Sequence, residues 1–143
     1  MNARILVIDD DPILAGLLNL TLELEGFEVV VASDGAAGLK EVTSQPFDLV
    51  LLDLIMPRID GIKFLRLLAE SGAPRPPVII VSSAIDENLT EHHRALGVVD
   101  IARKPVEPAE LVKRAKRALA ASRGSDPAPR SASAALNQGG LQG

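Results

Sequence analysis

Three short apolar runs end in groups that could handle a metal ion and a phosphoryl group. FDLVLLD, Phe47 to Asp53, ends in a carboxylate just before the turn LIMPRIDG; ILVIDDD, Ile5 to Asp11, ends in three acids; VIIVSS, Val78 to Ser83, ends in two hydroxyls. Beyond a fourth run, VVDIA from Val98 to Ala102, come Lys104 and Pro105. Acids concentrate a hard divalent cation, while hydroxyls and an ammonium complement phosphoryl oxygens. That chemistry requires the runs to be neighbouring strands whose carboxyl ends meet, the edge where open α/β sheets gather their ligands.

The remaining sequence supplies such a sheet. The apolar runs alternate five times with segments of helical period, which predicts a parallel sheet covered on both faces. Asp11 and Pro12 suit the cap and first position of helix 1, whose expected buried stripe is Ile13, Leu14, Leu17, Leu18, Thr21 and Leu22, ending at Gly26. Strand 2 is expected over Phe27 to Ala32, with Ser33 capping a second helix that runs to about Ser44. Helix 3 starts near Gly61, buries Ile62, Leu65 and Leu68, and stops before APRPP, Ala73 to Pro77. Helix 4 is expected over Asp86 to Leu96, with His92 and His93 on its surface. Helix 5 is expected from Glu107 to Ala121, with Leu111, Val112, Ala115, Ala118 and Leu119 inward and Lys113, Arg114, Lys116 and Arg117 on a solvated face. From Ser122 to Gly143 the chain is dominated by Ser, Ala, Gly and Pro, which predicts a disordered tail with no output domain after it.

Composition narrows the chemistry. The chain has 143 residues, no Cys, two His and a net charge of −4. A disulfide framework and thiolate metal sites are therefore excluded, and the remaining metal chemistry is that of oxygen ligands. Of 15 basic and 19 acidic residues, the stretch after Ala121 holds only Arg123, Arg130 and Asp126, so the acidic excess lies in the folded part. That sign opposes direct nucleic-acid binding, and the absence of Tyr and Trp leaves little to stack on bases. No stretch is long enough to span a membrane and Met1 to Asp10 lacks the features of a signal peptide, so the expected compartment is the cytoplasm.

Taken in order, Asp9 and Asp10, Asp53, Ser82, and Lys104 with Pro105, joined by the turn D-x-x-M-P-x-x-D-G from Asp53 to Gly61, resemble the receiver domain of two-component response regulators. The resemblance covers about residues 3 to 121 and places a receiver domain at 1–121 and the tail at 122–143. It implies a flavodoxin-like (βα)5 fold with strand order 2-1-3-4-5. It also implies a phosphoacceptor at Asp53, phosphoryl contacts from Ser82 and Lys104, and Mg2+ held by Asp9, Asp10, Asp53 and the backbone carbonyl of Ile55. Asp11 remains a helix cap, Ser83 a spacer and Met56 a packing residue, while Pro57 and Gly61 shape the turn. The implied partners are a histidine kinase or histidine phosphotransfer protein, a downstream protein docked on phosphorylation, and a homodimer formed on phosphorylation. The chain departs from the pattern at Ile101, where many receivers carry Tyr or Phe. Ile55 and Ala84, at the positions that flank the phosphoryl group, offer no polar side chain.

Three other readings compete. A haloacid-dehalogenase-type aspartyl-phosphate hydrolase also uses a strand-end Asp with Mg2+ but wants a second Asp where this chain has Ile55. A flavodoxin-like electron carrier would set three acids against a flavin phosphate. A receiver-like module that docks without being phosphorylated would not need the full set of site residues.

Overall fold

The computed structural model describes residues 2–83 and 91–124. Along the chain lie β1 (Arg4–Ile8), α1 (Pro12–Leu24), β2 (Glu28–Ala32), α2 (Gly35–Ser44), β3 (Leu49–Leu52), α3 (Gly61–Ser71), β4 (Val78–Ser82), α4 (Glu91–Arg94), β5 (Val98–Arg103) and α5 (Pro108–Gly124). The strands form one parallel sheet in the order β2-β1-β3-β4-β5, the expected topology.

Side chains alternate across this sheet and divide the interior in two. Ile5, Val7, Leu49, Leu51, Ile79 and Val81 pack beneath Leu18 and Leu22 of α1 and Leu111 and Ala115 of α5. Leu6, Ile8, Val50, Leu52 and Ile80 meet Phe64, Leu65 and Leu68 of α3 and Val42 of α2 on the other face. Burial on both faces explains why β1, β3 and β4 read as continuous apolar runs and not as alternating ones.

Helix starts depend on local capping. The Asp11 carboxylate accepts from the N–H groups of Ile13 at 3.0 Å and Leu14 at 3.4 Å, with Pro12 next in the chain, as expected. For α2 the expected cap, Ser33, is displaced by its neighbour: Asp34 accepts from Ala37 N–H at 2.7 Å, and Ser33 is exposed. The helix starts one residue later than the Ser would place it, and the carboxylate is the stronger acceptor. Asp60 caps α3 through Lys63 N–H at 2.9 Å, and Gly72 ends that helix with φ 76°.

Other expectations also shift. Leu18 and Leu22 are buried under α1, but Ile13 is 82 % and Leu17 45 % exposed, so those two leave the expected stripe. The face that reaches the sheet is instead centred on Ala15, Leu18 and Leu22. Helix α5 continues to Gly124, past the expected end at Ala121. Its Arg114 pairs with Asp100 at 2.8 Å and Glu110 at 3.3 Å, so this member of the basic stripe serves the fold. Helix α4 covers only Glu91–Arg94, the first part of its expected span lying outside the described residues. His93, expected at the surface, is buried where α4 packs against β5; its imidazole body is apolar enough to serve there.

Candidate functional site

The sheet register fixes the site. Ile8 pairs with Leu52, so the residues that follow, Asp9 and Asp53, emerge side by side. The backbone ladder continues into both: Asp9 N–H donates to Ala32 O at 3.1 Å and Asp53 N–H to Ile8 O at 3.0 Å. On the other side of β3, Lys104 N–H donates to Ser82 O at 3.0 Å and ties the ends of β4 and β5 together. Four strand ends thus place Asp9, Asp53, Ser82 and Lys104 along one edge.

Both flanking carboxylates are buried, Asp9 to 4 % exposure and Asp53 to 5 %, and one ammonium answers both. Lys104 Nζ lies 3.0 Å from Asp9 Oδ2 and 3.4 Å from Asp53 Oδ2. The second oxygens are engaged by backbone: Asp9 Oδ1 accepts from Asp11 N–H at 2.9 Å, and Asp53 Oδ1 from Ile55 N–H at 3.2 Å. Asp10 is exposed, and one carboxylate oxygen each from Asp9, Asp10 and Asp53 lie within 4.8 Å of one another.

Charge in this dish is unbalanced. Burial is the main reason the Asp9 carboxyl is raised above its ordinary 3.8; the Asp11 N–H and Lys104 oppose that rise, and the charge of Asp53 adds to it. For Lys104 burial alone would lower the ammonium, but the hydrogen bond and charge of Asp9, with those of Asp53, outweigh it and leave a net rise. The raised Lys104 reports the two carboxylates beside it, whereas the raised Asp9 reports chiefly its burial. Oxygen donors at this spacing, two of them buried and one open to solvent, fit a hard divalent cation.

The expected site residues are therefore brought together at Asp9, Asp10, Asp53 and Lys104. Ser82 is fully buried at the end of β4, and Ser83 is exposed. Ile55 turns its side chain outward, 54 % exposed, while its N–H faces Asp53. Ala84 lies outside the described residues. Ile101 is half-buried and packs against the core beneath α2 and α3.

The loop between Asp53 and α3 is held closely. Leu54 and Met56 are buried, Gly61 N–H donates to Leu54 O at 3.0 Å, and a Cβ on Gly61 would stand 2.5 Å from Asp53 O. Arg58 takes φ 66°, a conformation unusual for a residue with a Cβ. Sequence reasoning gave Pro57 and Gly61 to this turn but missed Arg58 and the support that α2 gives it, since neither leaves a compositional mark.

A five-stranded parallel sheet in this order, with acids and a lysine at its carboxyl edge, is an open α/β fold whose candidate ligand edge lies at the strand ends. The chain belongs to the response regulator receiver domain family, whose model matches residues 5–116. It is 40 % identical over 120 residues to the DNA-binding response regulator MtrA of Mycolicibacterium smegmatis, covering 83 % of this chain and 51 % of that protein. It is 36 % identical over 120 residues to the alkaline phosphatase synthesis transcriptional regulatory protein PhoP of Bacillus subtilis, with 83 % and 49 % covered. The chain spans about half the length of these relatives. Among solved structures it resembles a CheY-like receiver domain protein from Methanospirillum hungatei, with TM-score 0.81, 26 % identity and coverage of 88 % and 100 %. It likewise resembles Vibrio cholerae chemotaxis protein CheY4, with TM-score 0.75, 25 % identity and coverage of 82 % and 99 %. Membership of this family sets aside the hydrolase and electron-carrier readings. Among the described residues, no helix is long and apolar enough to cross a membrane.

Proposed function

We propose that the chain is a phosphorelay receiver that accepts a phosphoryl group on Asp53 from a histidine kinase or histidine phosphotransfer protein and signals by docking. The observation that carries this reading is the pair of buried carboxylates, Asp9 and Asp53, sharing the single ammonium of Lys104. In the transfer, an Asp53 oxygen forms a bond to phosphorus while the phosphorus–nitrogen bond of the donor's phosphohistidine breaks, and the imidazole leaves with the electron pair. Asp9, Asp10, Asp53 and the backbone carbonyl of Ile55 would hold Mg2+, which when bound supplies positive charge against the phosphoryl oxygens. Lys104 balances the acids before transfer and turns to a phosphoryl oxygen afterwards, pulling on β5; Ser82 offers a hydroxyl to another oxygen. Because Ile101 replaces the usual ring, the shift of β5 and α4 is read through aliphatic repacking.

The receiver unit, expected over 1–121, is taken through the end of α5 at Gly124, in the cytoplasm, with the residues that follow as tail. The names of the DNA-binding relatives keep open a nucleic-acid role for a longer protein, although the acidic receiver itself is ill-suited to one. Incubation with acetyl phosphate and Mg2+ should add one phosphoryl group by intact mass, and Asp53→Ala should abolish the addition. Equal labelling of that variant would refute the assignment, and failure of the parent to label would favour a receiver that docks unphosphorylated.

A further inference from the structure

Helix α2 contributes no side chain to the acid cluster, yet its first turn touches the loop that follows Asp53. Gly35 is buried, and a Cβ built on it would overlap the backbone carbonyl oxygen of Ile59 and stand 2.6 Å from Ile59 Cγ2. The backbone of α2 thus rests directly on the backbone of the loop. One turn later Gly38 lies against the sheet, where a Cβ would meet Ile8 Cδ1 at 2.5 Å. Bulk at residue 38 meets the flexible end of the Ile8 side chain, whereas bulk at residue 35 meets loop backbone, which yields only if the loop and the helix start part.

What that movement would carry is set by the loop's other anchors. Leu54 and Met56 are buried on either side of Ile55, and Gly61 N–H closes the turn onto Leu54 O at 3.0 Å. Ile55 N–H in turn holds Asp53 Oδ1 at 3.2 Å. The turn leading into α2 reaches the site by a second route as well, because Ala32 O accepts Asp9 N–H at 3.1 Å. Residues 32 to 35 therefore brace two acids from outside the site.

We infer that Gly35 is a positioning residue for cation binding: by letting α2 touch Ile59 it holds the Asp53-to-Gly61 loop, and with it the Ile55 backbone and the Asp53 carboxylate, in register with Asp9 and Asp10. This inference rests on the reading of Asp9, Asp10 and Asp53 as a cation site. It assigns the tight Gly35 contact to metal affinity and not to stability alone.

The test is Mn2+ binding to the full chain, followed by the loss of the free-ion electron paramagnetic resonance signal, in the parent, Gly35→Ala, Gly38→Ala and Asp53→Asn. Gly38→Ala is the control, since it overfills the same helix without touching the loop, and what it meets is the flexible Cδ1 end of Ile8 and not the Ile8 backbone beside Asp9. Gly35→Ala should weaken Mn2+ binding by about tenfold, the usual size for loss of a group that orients a ligand. Gly38→Ala should bind as the parent does, even where its unfolding midpoint falls as far. Parent-like binding by Gly35→Ala, or equal weakening in both glycine variants, would overturn the inference. A parent that binds no better than Asp53→Asn would overturn the acid-site reading itself and the inference with it. Should Gly35→Ala not fold, Ile59→Ala trims the Cγ2 side of the contact and leaves its carbonyl side in place; weakened binding supports the role, and unchanged binding refutes it.

Discussion

At the amino-terminal end of the sheet Arg4 sits among acceptors, whereas at the carboxyl end Lys104 sits among competitors for a single charge. Arg4 donates to Pro46 O at 3.2 Å and to Gln45 Oε1, lies 3.4 Å from Glu28, and stacks 5.2 Å from the centre of the Phe47 ring; its backbone N–H donates to Asp48 at 2.8 Å. Those contacts tie β1, β2 and the segment leading into β3 together, with acids and acceptors around one cation. Asp9 and Asp53, both buried, share one ammonium, with the exposed carboxylate of Asp10 beside them, and the excess of acids is visible in the raised Lys104. A balanced cluster is architecture; an unbalanced one is a site waiting for a cation, since burying unpaired charge is costly unless something else uses it.

The contrast can be broken most strongly at Lys104. Removing its ammonium leaves neighbouring buried carboxylates unanswered, a loss on the order of 3 kcal/mol when one partner of a buried pair is deleted. Metal-free Lys104→Met should therefore unfold at clearly lower denaturant than the parent, and Mg2+ should restore most of the difference. If Mg2+ left the gap unchanged, the surplus-charge account of the site would fail.

At the other end, Arg4→Ala should cost about 2 kcal/mol through lost hydrogen bonds and the lost ring contact. That loss should be indifferent to Mg2+, and labelling of Asp53 at saturating acetyl phosphate should match the parent. A Mg2+-dependent loss would mean that the two ends are coupled.

The smallest effect is expected at Asp9. Its carboxyl titrates above 3.8 in the folded protein, so the folded state holds that proton more tightly than the unfolded chain does. Stability is then lost as pH rises through the raised value, and at neutral pH the ionised Asp9 is a net load. Metal-free Asp9→Asn should unfold at a higher temperature than the parent at pH 7, with the gain vanishing at pH well below 3.8. Unfolding scans across pH would check the sign, and a lower midpoint at neutral pH would contradict it.

The carboxyl edge was legible because Asp9, Asp53 and Ser82 each lie at the end of a run whose apolar character betrays a strand buried on both faces, with Lys104 just past the half-buried β5. Asp53, Asp9 and Lys104 need only the strand order to meet, and that order was implied by the family resemblance. The amino-terminal cluster was not legible: Arg4, Gln45 and Phe47 are scattered in sequence and carry no motif. Ser33 and Asp34 are adjacent cap formers, and the choice between them depends on where β2 releases the chain. Ile13 and Leu17 fit a buried stripe by spacing, but the sheet covers only the face around Leu18 and Leu22. Gly35 reads as an ordinary helix start, because a close backbone approach from a distant loop has no local signature.

The most direct test of the central claim is the unfolding midpoint of the full chain with and without Mg2+, in the parent, Asp53→Asn and Arg4→Ala. A cation bound at the acid edge at about a hundredfold above its dissociation constant should add roughly 2.7 kcal/mol to the parent. The account predicts the same gain in Arg4→Ala and almost none in Asp53→Asn. A parent that gains nothing, or an Asp53→Asn variant that gains as much, would contradict it.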